Sequence, residues 1–103
     1  MQQLGKLEEI VLLILLMKEE NYGVGIAKEY EANFNQSITL PTIHVVLKRL
    51  DEKGLVKSKM GEPTAERGGR RKRIYSATNN GYHLAKELQE KRSKIWSMIP
   101  NIN

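Results

Sequence analysis

The sequence predicts a mainly α domain with one small two-stranded β element, in the order α-α-α-β-β-α. Three observations predict it. Apolar residues recur at helical spacing in three stretches before Gly54 and in one after Thr78. Between them lie two short extended segments, residues 55–60 and 70–77, separated by a connection that Gly61, Pro63, Gly68 and Gly69 punctuate. The second extended segment begins in a dense run of cations, the geometry of a hairpin whose tip is basic.

The first helix covers residues 5–19. Its apolar positions, from Leu7 through Ile10 to Met17, are too dense for a single stripe and read as a helix buried on more than one side. A parallel-sheet strand is the rival reading, but the length from Lys6 to Glu20 favours a helix. Asn21-Tyr22-Gly23 breaks the run. In the second helix, residues 22–34, Tyr22, Ile26, Ala27, Tyr30 and Phe34 share one face. Gly23 and Gly25 weaken its first turn, and Gly23 allows close packing against the first helix.

Residues 35–39 are polar. Ser37 or Thr39 can cap a third helix from about Leu40 to Lys53, and Pro41 suits its first turn. Ile43, Val46, Leu47 and Leu50 form the inner stripe of that helix. Thr42, His44, Val45, Lys48 and Arg49 lie outside it or on its margins. Gly54 is placed to end it as the residue after the cap. In the return strand, Tyr75 and Ala77 should face the core near the hairpin base, with both faces cationic near the tip. Thr78 is an N-cap for a last helix over about residues 79–98, with an apolar side that includes Tyr82, Leu84, Ala85, Leu88, Ile95, Trp96 and Ile99. Pro100 stops it.

The 103 residues suffice for one domain with a modest core, a size that often gains from oligomerising. There is no cysteine, which excludes a disulfide framework. The longest apolar run, Ile10 to Met17, is far short of the roughly 20 residues of a membrane span. Glu8 and Glu9 precede it where a signal peptide would be basic, so a cytoplasmic protein is expected. Net charge is +5, but it is uneven: −3 over residues 1–34, +6 over 35–77 and +2 over the remainder. A basic middle of this kind points to nucleic acid or an anionic surface. Its centre is Arg67-Gly68-Gly69-Arg70-Arg71-Lys72-Arg73, five cations in seven residues. By itself such a run is a solvated face; at a hairpin tip it is aimed at a polyanion.

The element order is that of a winged helix-turn-helix. The chain resembles the PadR-like transcriptional regulators, in their short form with a single C-terminal helix. The resemblance rests on Leu4-Gly5 ahead of the apolar helix, Tyr22-Gly23 opening the second, and Leu47-Lys48-Arg49-Leu50-Asp51-Glu52-Lys53-Gly54-Leu55-Val56. It continues through Gly61-Glu62-Pro63-Thr64, Arg67 to Arg73, and Tyr75 to Thr78, covering roughly residues 4–90. Two positions depart from the family pattern. His44 stands where the family usually has a tyrosine, and Asn80 where it usually has an acidic residue before the glycine.

The resemblance implies a partner and a division of labour. Double-stranded DNA with a pseudo-palindromic operator is the expected partner. Residues 1–78 would form the DNA-binding domain and 79–103 a dimerisation helix packed on it. The third helix would be the recognition helix, with Thr42, His44, Val45 and Lys48 facing the major groove. There Thr42 and Val45 would touch thymine methyls, His44 a phosphate or a base acceptor, and Lys48 and Arg49 phosphates. Arg67, Arg70, Arg71, Lys72 and Arg73 would form the wing, reaching the minor groove or the flanking backbone. The homodimer would use Leu84, Leu88, Ile95, Trp96 and Ile99, with a contribution from the first helix. Trp96 either seals that interface or walls a small pocket for a planar aromatic effector. Repression is the usual mode of the family.

No catalytic constellation or cofactor motif is visible: His44 and His83 are the only histidines, Glu8-Glu9 and Glu19-Glu20 read as helix-surface or helix-end acids and not a catalytic pair, and no metal-ligand spacing occurs. The stronger rival is a winged helix that binds protein instead of DNA, since fold does not fix function.

Overall fold

The computed structural model describes residues 3–62 and 72–102. Seven elements follow one another: α1 (Lys6–Leu16), β1 (Asn21–Tyr22), α2 (Gly23–Phe34), α3 (Leu40–Glu52), β2 (Val56–Met60), β3 (Arg73–Ala77) and α4 (Asn79–Ser97). The four helices and the hairpin are those the sequence predicts. α1 ends earlier than predicted, and the extended piece after it, Asn21–Tyr22, adds a strand to the wing. The sheet is therefore three-stranded and antiparallel, in the order β1-β3-β2. Asn21 pairs with Tyr75 and Tyr22 with Ile74, while β2 pairs with β3 from Val56↔Ala77 to Met60↔Arg73.

α1 runs through the centre of the fold. Val11, Leu12 and Leu15 are fully buried among Ile26 of α2, Ile43, Leu47 and Leu50 of α3, and Leu55 and Val56 at the start of β2. Burying each such side chain contributes about 1.5–3 kcal/mol, so this cluster is the main source of stability. The surroundings of α1 explain its composition: it packs against α2, α3, α4 and β3 at once. Tyr75 is buried and Ala77 packs against the core, as period-two alternation predicts.

The caps fix where the helices start and stop. The Thr39 side chain accepts the Thr42 N–H at 3.3 Å, so Thr39, not Ser37, caps α3. Gly54 leaves α3 at φ +74°, a left-handed conformation that glycine adopts without strain. The Thr78 hydroxyl accepts the Gly81 N–H at 3.1 Å and caps α4.

Three side-chain expectations are corrected. Gly23 faces α3, not α1: a Cβ there would meet the His44 ring at 3.4 Å and Leu40 at 3.7 Å. Phe34 does not join the core; it is exposed at the end of α2 and stacks on Tyr30, with ring centroids 5.1 Å apart. Glu8 and Glu9, read as surface acids, are buried and paired. Glu8 reaches Lys53 at 2.5 Å, and Glu9 reaches Arg92 at 2.5 Å.

Candidate nucleic-acid interface

The amphipathicity of α3 divides its residues between two jobs. Ile43, Val46, Leu47 and Leu50 anchor the helix to the core. Thr42, His44, Val45, Lys48 and Arg49 are all exposed on the remaining surface. The helix is held at both ends, so this surface is rigidly presented. At its start the Thr39 and Thr42 hydroxyls are hydrogen-bonded to each other at 2.8 Å. At its end the Lys53 ammonium is bound by the Glu8 carboxylate and, at 3.1 Å, by the Gln3 carbonyl.

The wing root lies beside this surface. Arg73 at the start of β3 and Lys72 just before it share a cleft of about 230 Å³ with His44 and Leu40 of α3, Tyr22 of β1, and Gly23 and Val24 at the start of α2. The Lys72 ammonium sits 4.1 Å from the Tyr22 ring centroid, a cation–π contact that holds it over β1. The Arg73 guanidinium donates to the Ser58 hydroxyl at 3.0 Å. The structure thus brings one recognition-helix residue, His44, together with two wing residues. Arg67, Arg70 and Arg71 lie outside the described residues.

The expected dimer residues divide. Leu84 is buried in its own chain's core and Leu88 packs against it, so Leu84 is corrected to a residue of the monomer. Ile95, Trp96 and Ile99 are exposed, at 62%, 74% and 47%. A second apolar surface lies between α1 and the end of α2, where Ile10, Leu13, Ile14, Met17 and Phe34 line a cleft of about 350 Å³ with Asn33. Density of apolar residues in α1 hinted at this surface, but period alone does not separate its exposed positions from its buried ones. β1 was hidden because two residues are too few to show alternation. The Glu9–Arg92 pair joins residues far apart in sequence, and no local pattern announces it. Among the described residues no cluster of metal-ligating side chains occurs, and no helix is long and apolar enough to cross a membrane.

A mostly helical fold with a small antiparallel sheet at the end of α3 defines a winged helix-turn-helix protein. The model of the transcriptional regulator PadR-like family matches residues 11–87, and the chain belongs to that family. Solved structures agree. A PadR family transcription regulator from Clostridium difficile is 26% identical, with a TM-score of 0.73 over 90% of this chain and 93% of that one. A PadR-like transcription factor from Bacteroides fragilis is 24% identical, with a TM-score of 0.78 over 90% and 85%. A PadR-like transcriptional regulator from Bacillus cereus is 18% identical, with a TM-score of 0.73 over 88% and 84%. Comparison with curated proteins finds no match.

Proposed function

We propose that this protein is a sequence-specific DNA-binding transcriptional regulator, a cytoplasmic ligand-responsive repressor acting as a homodimer. Residues 1–78 form its DNA-binding domain and 79–103 its dimerisation helix. One observation carries the reading: the exposed polar face of α3 adjoins the basic wing root at the His44 cleft. An α-helix fits the major groove, where base edges carry distinct donor and acceptor patterns. Thr42, His44, Val45 and Lys48 would enter it, with Arg49 on the backbone. Lys72 and Arg73, together with Arg67, Arg70 and Arg71 of the wing sequence, would hold flanking phosphates or the minor groove. A cationic and polar surface of this kind favours DNA over a protein partner.

A dimer is supported by two uncovered apolar surfaces in one chain. The distal part of α4 presents Ile95, Trp96, Met98 and Ile99, and the α1–α2 cleft presents Leu13, Met17 and Phe34. A two-fold axis lets each distal helix cover the partner's cleft and sets two recognition helices against a pseudo-palindrome. For a ligand, the α4 surface at Gln89, Arg92, Ser93 and Trp96 forms an open cleft of about 320 Å³. A planar aromatic effector stacked on Trp96 would sit at the subunit junction and alter the spacing of the two recognition helices.

The test is selection of duplexes from a random pool by the full chain, followed by footprinting. Recovery of an inverted repeat is expected. Failure to select any sequence, with an acidic protein recovered instead at moderate salt, would reverse the reading toward protein binding.

A further inference from the structure

The cleft between α2, α3 and the wing root is lined by three basic side chains, and by no carboxylate among the described residues. One of the three is the imidazole of His44. The Cε1 and Nε2 atoms of His44 lie 3.4 Å from where a side chain on Gly23 would begin, so the ring rests against the backbone at the start of α2. A methyl group at position 23 would meet the ring at ordinary van der Waals distance. Arg73 is tethered to Ser58 through Nη1, and Lys72 is held over Tyr22. α2 begins at this cleft with no side chain capping it, and the first turn of a helix carries partial positive charge.

We propose that this cleft seats one backbone phosphate of the bound duplex, and that His44 takes up a proton as it does so. The proposal rests on the DNA-binding reading and goes beyond it, because it gives DNA affinity a dependence on pH. Imidazole is the side chain that ordinarily changes charge between about pH 5 and 8. The groups that line the cleft with His44 are Lys72 just before β3, Arg73 at the start of β3, Tyr22 from β1 and the start of α2; Lys48 follows His44 by one turn of α3. A phosphate in the cleft favours the imidazolium over the neutral ring. Linkage is reciprocal: if binding DNA favours protonation, protonation favours binding DNA, so affinity rises as pH falls. A tyrosine, the usual family residue at this position, keeps its proton throughout that range and gives no such dependence.

The experiment uses the full chain and the duplex it selects, with affinity measured at about pH 6 and about pH 8 and constant salt. Wild-type protein is expected to bind about three- to tenfold tighter per half-site at the lower pH. His44→Gln should bind more weakly and flatten the profile, while His83→Gln, on α4, should keep it. Replacing the seated phosphate by a neutral methylphosphonate should flatten the wild-type profile. The seat would be overturned by a pH dependence that persists in His44→Gln, or by a His44→Gln loss confined to one base-pair position, which marks a base reader. A flat wild-type profile would overturn it as well. Failure of the wild type to bind any duplex would remove the DNA reading itself, and the seat with it.

Discussion

The Thr78 hydroxyl donates to the Gly54 carbonyl at 2.8 Å while accepting the Gly81 N–H at 3.1 Å. One side chain therefore joins the end of the recognition helix to the start of the C-terminal helix. The Thr78 N–H adds a third link, to the Leu55 carbonyl at 3.0 Å. The orientation of α4 relative to α3 is set at this joint, and with it the relation between the proposed dimerisation helix and the proposed DNA-reading surface.

Thr78→Val removes both hydroxyl contacts and keeps the shape. Loss of a cap costs about 1 kcal/mol, and loss of a further hydrogen bond about another. A stability loss of about 2 kcal/mol is expected in urea unfolding, monitored on Trp96 and by circular dichroism. Thr78→Ser retains both contacts and should lose less than half of that. Equal losses in the two variants would show that the methyl group, not the hydroxyl, matters.

Gly54 and Gly81 flank the same joint, but a side chain is excluded from each for a different reason. Gly54 has φ +74° and open space around it, so Gly54→Ala meets only conformational strain, about 1–2 kcal/mol. Gly81 has ordinary dihedral angles, but a Cβ there would come within 2.2 Å of the Leu55 carbonyl oxygen. Backbone cannot move aside as a flexible side chain does, so Gly81→Ala should cost about 3 kcal/mol or more. The order of the two losses in chemical unfolding is the check. Gly54→Asn should recover part of the Ala loss, because asparagine tolerates the left-handed region; the same substitution at Gly81 should not.

Buried apolar periodicity made the helices legible in the sequence. Ile43, Val46, Leu47 and Leu50 fall on one stripe, and the complementary set Thr42, His44, Val45, Lys48 and Arg49 is exposed as that stripe requires. Cap chemistry made the boundaries legible at Thr39, Gly54 and Thr78. What stayed hidden was long-range. β1 exists because β3 offers a free edge to Asn21 and Tyr22. Gly23 answers to His44, not to α1, because helix packing partners are chosen in three dimensions. Leu84 and Ile95 look alike in sequence, yet one is buried in the monomer and the other is exposed, because only the first part of α4 reaches the core.

The Glu9–Arg92 pair is asymmetric, with side-chain exposures of 7% and 64%. Removing the arginine leaves a buried carboxylate without this partner, whereas removing the carboxylate leaves a guanidinium that water already reaches. Arg92→Ala should therefore destabilise more than Glu9→Gln, by about 1 kcal/mol. Both variants should loosen the far half of α4, read as faster amide exchange beyond residue 92. Equal losses with unchanged exchange would reduce the pair to a surface contact.

Lys48 and Thr42 are both exposed on α3, and in the proposed complex they make two kinds of DNA contact. Lys48→Ala should weaken binding similarly across all sequences and lower the salt dependence by about 0.9 per half-site, the effect of one phosphate contact. Thr42→Ala should leave the salt slope unchanged and relax preference at one position by about 1–3 kcal/mol. Affinities of both variants on the selected duplex and on single-base variants of it, over a range of salt, distinguish the two. A lowered salt slope in Thr42→Ala would assign that residue to the backbone.

The two apolar surfaces make a dimer prediction that either surface can test alone. Phe34 lies half-exposed at the end of α2, stacked on Tyr30, and Leu13 lies beside it in the cleft with Met17. Neither belongs to the buried cluster of the chain, so Leu13→Asp and Phe34→Asp should leave the monomer folded. Each places a charge where an apolar helix is expected to dock, at a cost of several kcal/mol per subunit. Sedimentation should show the wild type as a dimer and both variants as monomers at micromolar concentration, with unchanged helicity. Ile95→Asp, on the opposing surface, should do the same. A variant that unfolds would place its residue in the monomer core. A folded variant that stays dimeric would move the interface elsewhere.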